Sequence, residues 1–242
     1  MNKIEKFEQE KKNNIGKMIK NKKFKSLSQN FLINSIKYKY SYNFKWLGRP
    51  IIQYPQDIIA MQEIIWDIKP DLIIETGIAH GGSLIFYASM IELIGRGQVL
   101  GIDIDIRDHN RKEIESHPMF KRIKMIEGSS VDEKVFQKVR LFSKNKKTLV
   151  CLDSNHTGDH VFKELELYSM LVSKGSYIVV FDTIIEDLPK DMMKNRPWSK
   201  GNNPATAIAM FLAKNRDFVI DREIEDKLLI SVAPGGYLKR IK

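Results

Sequence analysis

The sequence predicts an α/β fold: a three-layer, doubly wound, mostly parallel sheet that closes on an antiparallel hairpin. Three observations predict it. From Gln53 onward, short apolar runs alternate with helix-length amphipathic stretches, the pattern of a parallel sheet with helices on both faces. Most of the runs are apolar, as strands buried on both faces require. The last two runs, 218–221 and 228–232, are separated by only six residues. A parallel crossover needs a dozen or more, so those strands, if neighbours, must be antiparallel.

The elements follow in order. Residues 57–68 place Ile58, Met61, Ile65 and Ile68 at helical spacing. Asp57 stands near that helix's start, where a carboxylate suits the dipole, and Pro70 ends it. The first strand is 71–75 (DLIIE), followed by a loop over 76–82 and a helix over 83–94. Gly95 and Gly97 turn the chain into a second strand, 98–103 (QVLGID). A helix at 108–117 leads to a third strand, 122–127 (RIKMIE), and a helix at 131–143 to a fourth, 148–153 (TLVCLD). A helix over about 158–171 precedes the fifth strand, 176–182 (SYIVVFD). Residues 183–203 read as a long polar loop and 204–215 as a helix.

The 242 residues, 43% hydrophobic, suffice for one α/β domain with a sizeable core and not for two. That domain is expected over 41–242. Residues 1–40 hold eleven Lys and three Glu, so they carry +8 of the net +10 and the body is near neutral. They are expected to form a partly helical or flexible appendage. Residues 1–25 are poorly patterned, and the aromatic stretch 26–48 supplies a short helix and an arm. Basicity confined to an appendage without Arg argues against a nucleic-acid partner. The single Cys151 suits a reducing compartment. With no signal-like start and no apolar run of membrane-spanning length, a cytoplasmic location is expected.

In sheets of this kind, ligands bind beyond the carboxyl ends of the strands. The turn after the first strand reads Glu75-Thr76-Gly77-Ile78-Ala79-His80-Gly81-Gly82-Ser83. Its glycines let the backbone approach a ligand closely. Glu75 stands where it would repel a pyrophosphate, but it complements a cationic, phosphate-free ligand. S-adenosylmethionine (SAM) has a sulfonium and an ammonium, and its carboxylate suits the next helix N-terminus. The expected SAM contacts are therefore Glu75, Thr76, Gly77, Ala79, Gly81, Gly82 and Ser83. Asp103, 28 residues after Glu75, is placed for the ribose hydroxyls. Ile104 lies beside it, Ser129 and Ser130 fall at the adenine edge, and Asp153 completes the set.

Asp153 and Asp182 end the fourth and fifth strands. Neighbouring carboxylates there can hold a hard cation such as Mg²⁺. His156, three residues after Asp153, suits a general base for a substrate hydroxyl. The plainer alternatives are acids that cap helices and a structural histidine. The loop 183–203 is expected to close over the acceptor, with Trp198 offering a flat face.

Trp46-Leu47-Gly48, Glu75-Thr76-Gly77 with Gly81-Gly82-Ser83, Gly101-Ile102-Asp103-Ile104-Asp105, Leu152-Asp153-Ser154-Asn155-His156 and the strand end 179–183 together resemble the cephalosporin hydroxylase family. Despite its name, that family has the class I SAM-dependent methyltransferase fold. It is similar to macrocin- and mycinose-type sugar O-methyltransferases and to rhamnosyl O-methyltransferases. The resemblance spans residues 44–232. It implies methyl transfer to a hydroxyl of a sugar, glycosylated or surface-polysaccharide acceptor, with His156 as base and a homo-oligomeric assembly. It also implies Mg²⁺ on Asp153 and on an acidic pair at 181–182. Here that pair reads Phe181-Asp182, so one carboxylate is missing, with Asp105, Asp159 or a substrate oxygen as candidate substitutes. Two rival readings stay open: a metal-dependent hydroxylase with His156, His160 and Asp153 on iron, and a non-catalytic SAM-binding subunit.

Overall fold

The computed structural model describes all 242 residues. It opens with two helices, α1 (Lys3–Lys20) and α2 (Lys22–Lys37). Helix runs almost unbroken from 3 to 37, where the sequence suggests a poorly patterned start and only a short helix. Caps account for it. Asn2 and Glu5 form a reciprocal capping box on α1, and the Asn21 side chain accepts from the Phe24 amide at the start of α2. α1 buries no side chain, whereas α2 docks through Leu32 and Ser35, whose hydroxyl lies 2.7 Å from that of Tyr54.

The hairpin of β1 (Phe44–Trp46) and β2 (Arg49–Ile51) follows. Its two turn residues, Leu47 and Gly48, both have positive φ (45° and 90°), as the tightest hairpin turns require. α3 (Pro55–Ile68) then feeds the main sheet. Its strands are β3 (Leu72–Thr76), β4 (Gln98–Asp103), β5 (Ile123–Glu127), β6 (Thr148–Leu152), β7 (Tyr177–Val180), β8 (Phe218–Ile220) and β9 (Tyr237–Arg240). They lie in the order β5-β4-β3-β6-β7-β9-β8. The five parallel strands expected are all present. α4 (Gly82–Ile94), α5 (Asp108–Glu115), α6 (Glu133–Ser143) and α7 (Gly158–Tyr168) connect them, and α8 (Pro204–Lys214) leads into β8. Two apolar clusters pack on the opposite faces of the sheet. No helix is long and apolar enough to cross a membrane.

The antiparallel close exists, but with a different strand. Residues 228–232 are not extended. The Asp221 side chain accepts from the Glu223 amide and starts α9 (Arg222–Leu228). Leu229 has φ 59°, and the segment beyond it packs irregularly, with Val232 and Ala233 buried. The last strand is β9, which pairs antiparallel with both β7 and β8. Its pattern, Tyr-Leu-Lys-Arg, is half polar, so the apolar count favoured the wrong run.

Register places the functional edge. Thr76 pairs with Ile102 and Leu152, and Leu152 with Val180. The chain leaves β3 toward β4 on one side and returns at β6 on the other, so the switch-point crevice opens over β3 and β6. Gly77, Asp103, Asp153 and the Phe181-Asp182 step therefore meet at one level.

Candidate active site

The turn after β3 is held by the chain itself. A Cβ on Gly77, which has φ 89°, would lie 2.1 Å from the Asp153 carbonyl oxygen, and one on Gly82 2.1 Å from that of Pro50. These two glycines are dictated by backbone packing on β6 and on the β1–β2 hairpin, a different reason from the expected close approach of a ligand. Gly81 is the left-handed N-cap of α4, which has no side-chain cap, so its first amides remain available to an anion. Exposed Ala79 also has positive φ, 45°. Arg49 donates to the His80 carbonyl at 2.6 Å, and Asn110 to that of Ala79 at 2.9 Å. The hairpin and α5 thus brace the loop.

Asp103 accepts from the amides of Ile78 (2.7 Å) and Asp105 (3.1 Å). It shapes the loop while standing at the crevice rim, with Ile104 exposed beside it. Ser129 is half-buried. Ser130 is turned inward, with its hydroxyl 3.2 Å from His160 Nε2, so it does not present an open edge for a ligand. Thr76 is fully buried, and its hydroxyl has no partner. Glu75 is buried and accepts from the Ser83 hydroxyl at 2.7 Å. Burial pushes its carboxyl from 4.5 up to about 8, against the opposing bonds from Ser83 and Tyr87. In the protein alone it is therefore mostly neutral at pH 7. A cation beside it draws the proton off.

Asp153, His156 and Asp182 come together, their ligand atoms all within 4.8 Å of one another. His156 Nε2 lies 3.1 Å from an Asp182 oxygen. Asp182 has a left-handed backbone (φ 56°), a conformation Asp tolerates better than most residues. Burial, then the negative fields of Asp182, Glu75 and Glu164, push the Asp153 carboxyl well above the usual range; a bond from Gln53 pulls the other way. The Trp198 ring stands edge-on to His156, centroids 4.7 Å apart, and so walls the base instead of lying open. The 183–203 loop is fastened by Glu186, which accepts from Gly201 and Asn203. Gln53, 100 residues from Asp153, and Tyr87 beside Glu75 went unsuspected, since neither carries a local motif.

The carboxylates of Asp153 and Asp182 fit a hard divalent cation, with the His156 imidazole beside them. Opposite corners of an Mg²⁺ octahedron lie about 4.2 Å apart, so a small contraction closes the group. Phe181 is 2% exposed and belongs to the core, so its position supplies nothing. Asp105 and Asp159 are exposed and outside the group. His160 Nε2 instead faces Ser130, Ser154 and Glu164. Only one histidine stands in the group, and the two-histidine iron site is not formed.

A crevice with an acid at its floor, an uncapped helix N-terminus and an acid–histidine group at its rim defines a SAM-dependent O-methyltransferase of the class I type. Comparison with known proteins agrees. The family described as Rhamnosyl O-methyltransferase/CmcI matches residues 38–241, and the chain belongs to it. Rhamnosyl O-methyltransferase of Mycobacterium tuberculosis is 31% identical over 192 residues, covering 76% of this chain and 73% of that one. The Mycobacterium leprae protein is 30% identical over 148 residues, covering 60% and 62%. Among solved structures, CmcI with Mg and SAM aligns with TM-score 0.59 at 19% identity, covering 83% of this chain and 78% of that one. A Bacillus cereus O-methyltransferase in complex with SAH aligns at 0.51 and 17%, covering 80% and 81%. At these identities the structural likenesses bear on the fold.

Proposed function

We propose that the chain moves the methyl group of SAM to a hydroxyl of a sugar, with His156 as the base. The observation that carries this is the Asp153–His156–Asp182 group at the level of the 77–83 turn. Asp182 holds the Nε2 proton of the neutral imidazole, which leaves the lone pair on Nδ1. The acceptor oxygen attacks the methyl carbon in line, the carbon–sulfur bond breaks, and the hydroxyl proton passes to His156. The sulfonium becomes a neutral thioether. Positioning supplies most of the rate. Asp153 and Asp182 would hold Mg²⁺, whose charge would serve to orient the acceptor and stabilise its developing alkoxide.

The sugar class rests on family membership, together with the relatives named rhamnosyl O-methyltransferase; a surface glycan is the natural acceptor. We place the reaction in the cytoplasm, in a homo-oligomer. Incubation with methyl-labelled SAM and rhamnose-bearing glycans should label the acceptor. His156→Ala should cut the rate about a hundredfold or more with SAM affinity unchanged. Equal rates in the variant remove His156 from the role, and no transfer to any glycosylated acceptor overturns the acceptor class.

A further inference from the structure

Gln53 is buried, 6% exposed, between β2 and α3. Its amide nitrogen donates to Asp153 Oδ2 at 3.3 Å. Its amide oxygen is also buried and has no hydrogen-bond partner. A buried acceptor left unpaired costs about 1–3 kcal/mol, and this one belongs to the side chain that touches Asp153. The two ends of a primary amide exchange places by a half-turn of the terminal torsion. After that turn the oxygen stands where the nitrogen stood, 3.3 Å from Asp153 Oδ2. Adjacent oxygens on an Mg²⁺ octahedron are about 2.9 Å apart. Two oxygens facing each other in that way repel unless a cation lies between them.

We infer that Gln53 Oε1 is a ligand of the divalent cation and takes the place of the carboxylate that Phe181 cannot supply. This rests on the cation reading of Asp153 and Asp182 but not on the acceptor. The amide then has two settings. Without the ion, its NH₂ satisfies Asp153. With the ion, its carbonyl joins Asp153 and Asp182. Replacing a charged ligand by a neutral one leaves the site with two carboxylates and makes it weaker than a three-carboxylate site.

The probe is Mn²⁺, followed by electron paramagnetic resonance as free ion disappears on titration of the protein without SAM or acceptor. Gln53→Leu should weaken Mn²⁺ at least tenfold, and Gln53→Glu should tighten it at least tenfold. The sign of the second change separates roles. If Gln53 only positions Asp153 by donating N–H, Gln53→Glu removes the donor, adds repulsion and weakens Mn²⁺ as well. Wild-type affinity in Gln53→Leu, or weakening in Gln53→Glu, overturns the inference. Unfolding temperatures without metal should stay near wild type; should Gln53→Leu fold poorly, Gln53→Glu alone decides by its sign. Absence of Mn²⁺ binding in the wild-type protein also overturns it, whereas methyl transfer in a chelator tests the enzyme reading separately.

Discussion

Glu75 lies buried near the end of β3 and accepts a hydrogen bond from the Ser83 hydroxyl. Its position at the end of β3 is legible from an apolar run that stops on an acid. Its charge state is not, because that depends on burial by residues far along the chain. In the protein alone its carboxyl titrates at about 8. A sulfonium or ammonium nearby favours the carboxylate, so SAM binding lowers that value and expels a proton. At pH 7, titration calorimetry in buffers of different ionisation enthalpy should show release of up to one proton per SAM. The release should fade above pH 8, where Glu75 is already ionised. A binding enthalpy independent of buffer at pH 7 would contradict this. Linkage has a matching sign for folding: the folded protein holds the proton more tightly than the unfolded chain, so this group's stabilisation is full below 4.5 and lost as pH rises toward 8. Asp103, by contrast, sits at the rim expected of it but is partly occupied by the loop amides it shapes.

At the scale of elements, α3 carries a residue that does more than face the helix dipole. Asp57 suits the helix start, yet it is fully buried and accepts from Ser231 (2.6 Å), the Val232 amide (3.0 Å) and Tyr237 (2.7 Å). It pins the irregular segment after α9 and the first residue of β9. Burial outweighs these bonds and raises its carboxyl to about 6. Asp57→Ala should cost about 3 kcal/mol or more, measured by urea denaturation, because three buried donors lose one acceptor. A loss below 1 kcal/mol would mean water replaces the carboxylate. The same segment explains the misplaced strand. Leu228-Leu229-Ile230-Ser231-Val232 is apolar because Val232 lies in the core, not because it pairs with a neighbour. Conversely, β9 follows Gly235-Gly236, and a Cβ on Gly236 would lie 2.1 Å from the Val180 carbonyl oxygen. That strand's place is set by the edge of β7, which no local pattern encodes. Strands β3, β4, β6 and β7 were legible because each is a largely buried run bounded by turns, and the edge strand β5 because it keeps its place between two helices. The Asp153–His156–Asp182 group was legible because parallel register brings strand ends together, whereas Gln53 enters from a hairpin outside the sheet.

On the scale of the whole molecule, charge and family divide the chain in the same place, and packing divides it earlier. Residues 1–40 hold +8 of the +10, and the family match begins at residue 38. Within that basic stretch the two helices differ. α1 has no fully buried side chain and exposes Ile4 and Phe7. α2 is anchored through Leu32 in the core and the Ser35–Tyr54 bond, with Tyr54 one residue from Gln53. The pair is therefore separable. Deleting residues 1–20 should leave the unfolding free energy within about 1 kcal/mol of the full chain, since α1 has no fully buried side chain and, of its apolar ones, only Ile15, Met18 and Ile19 are half-buried. SAM affinity should be unchanged. Deleting residues 1–37 removes Leu32, about 2 kcal/mol or more of burial, and strips the cover from Tyr54. That form should unfold earlier and hold Gln53 less firmly, so its Mn²⁺ affinity should fall together with its stability. Equal stability in both truncated forms would show that α2 rests on the domain without supporting it, and would cut the path by which the basic appendage reaches the active site.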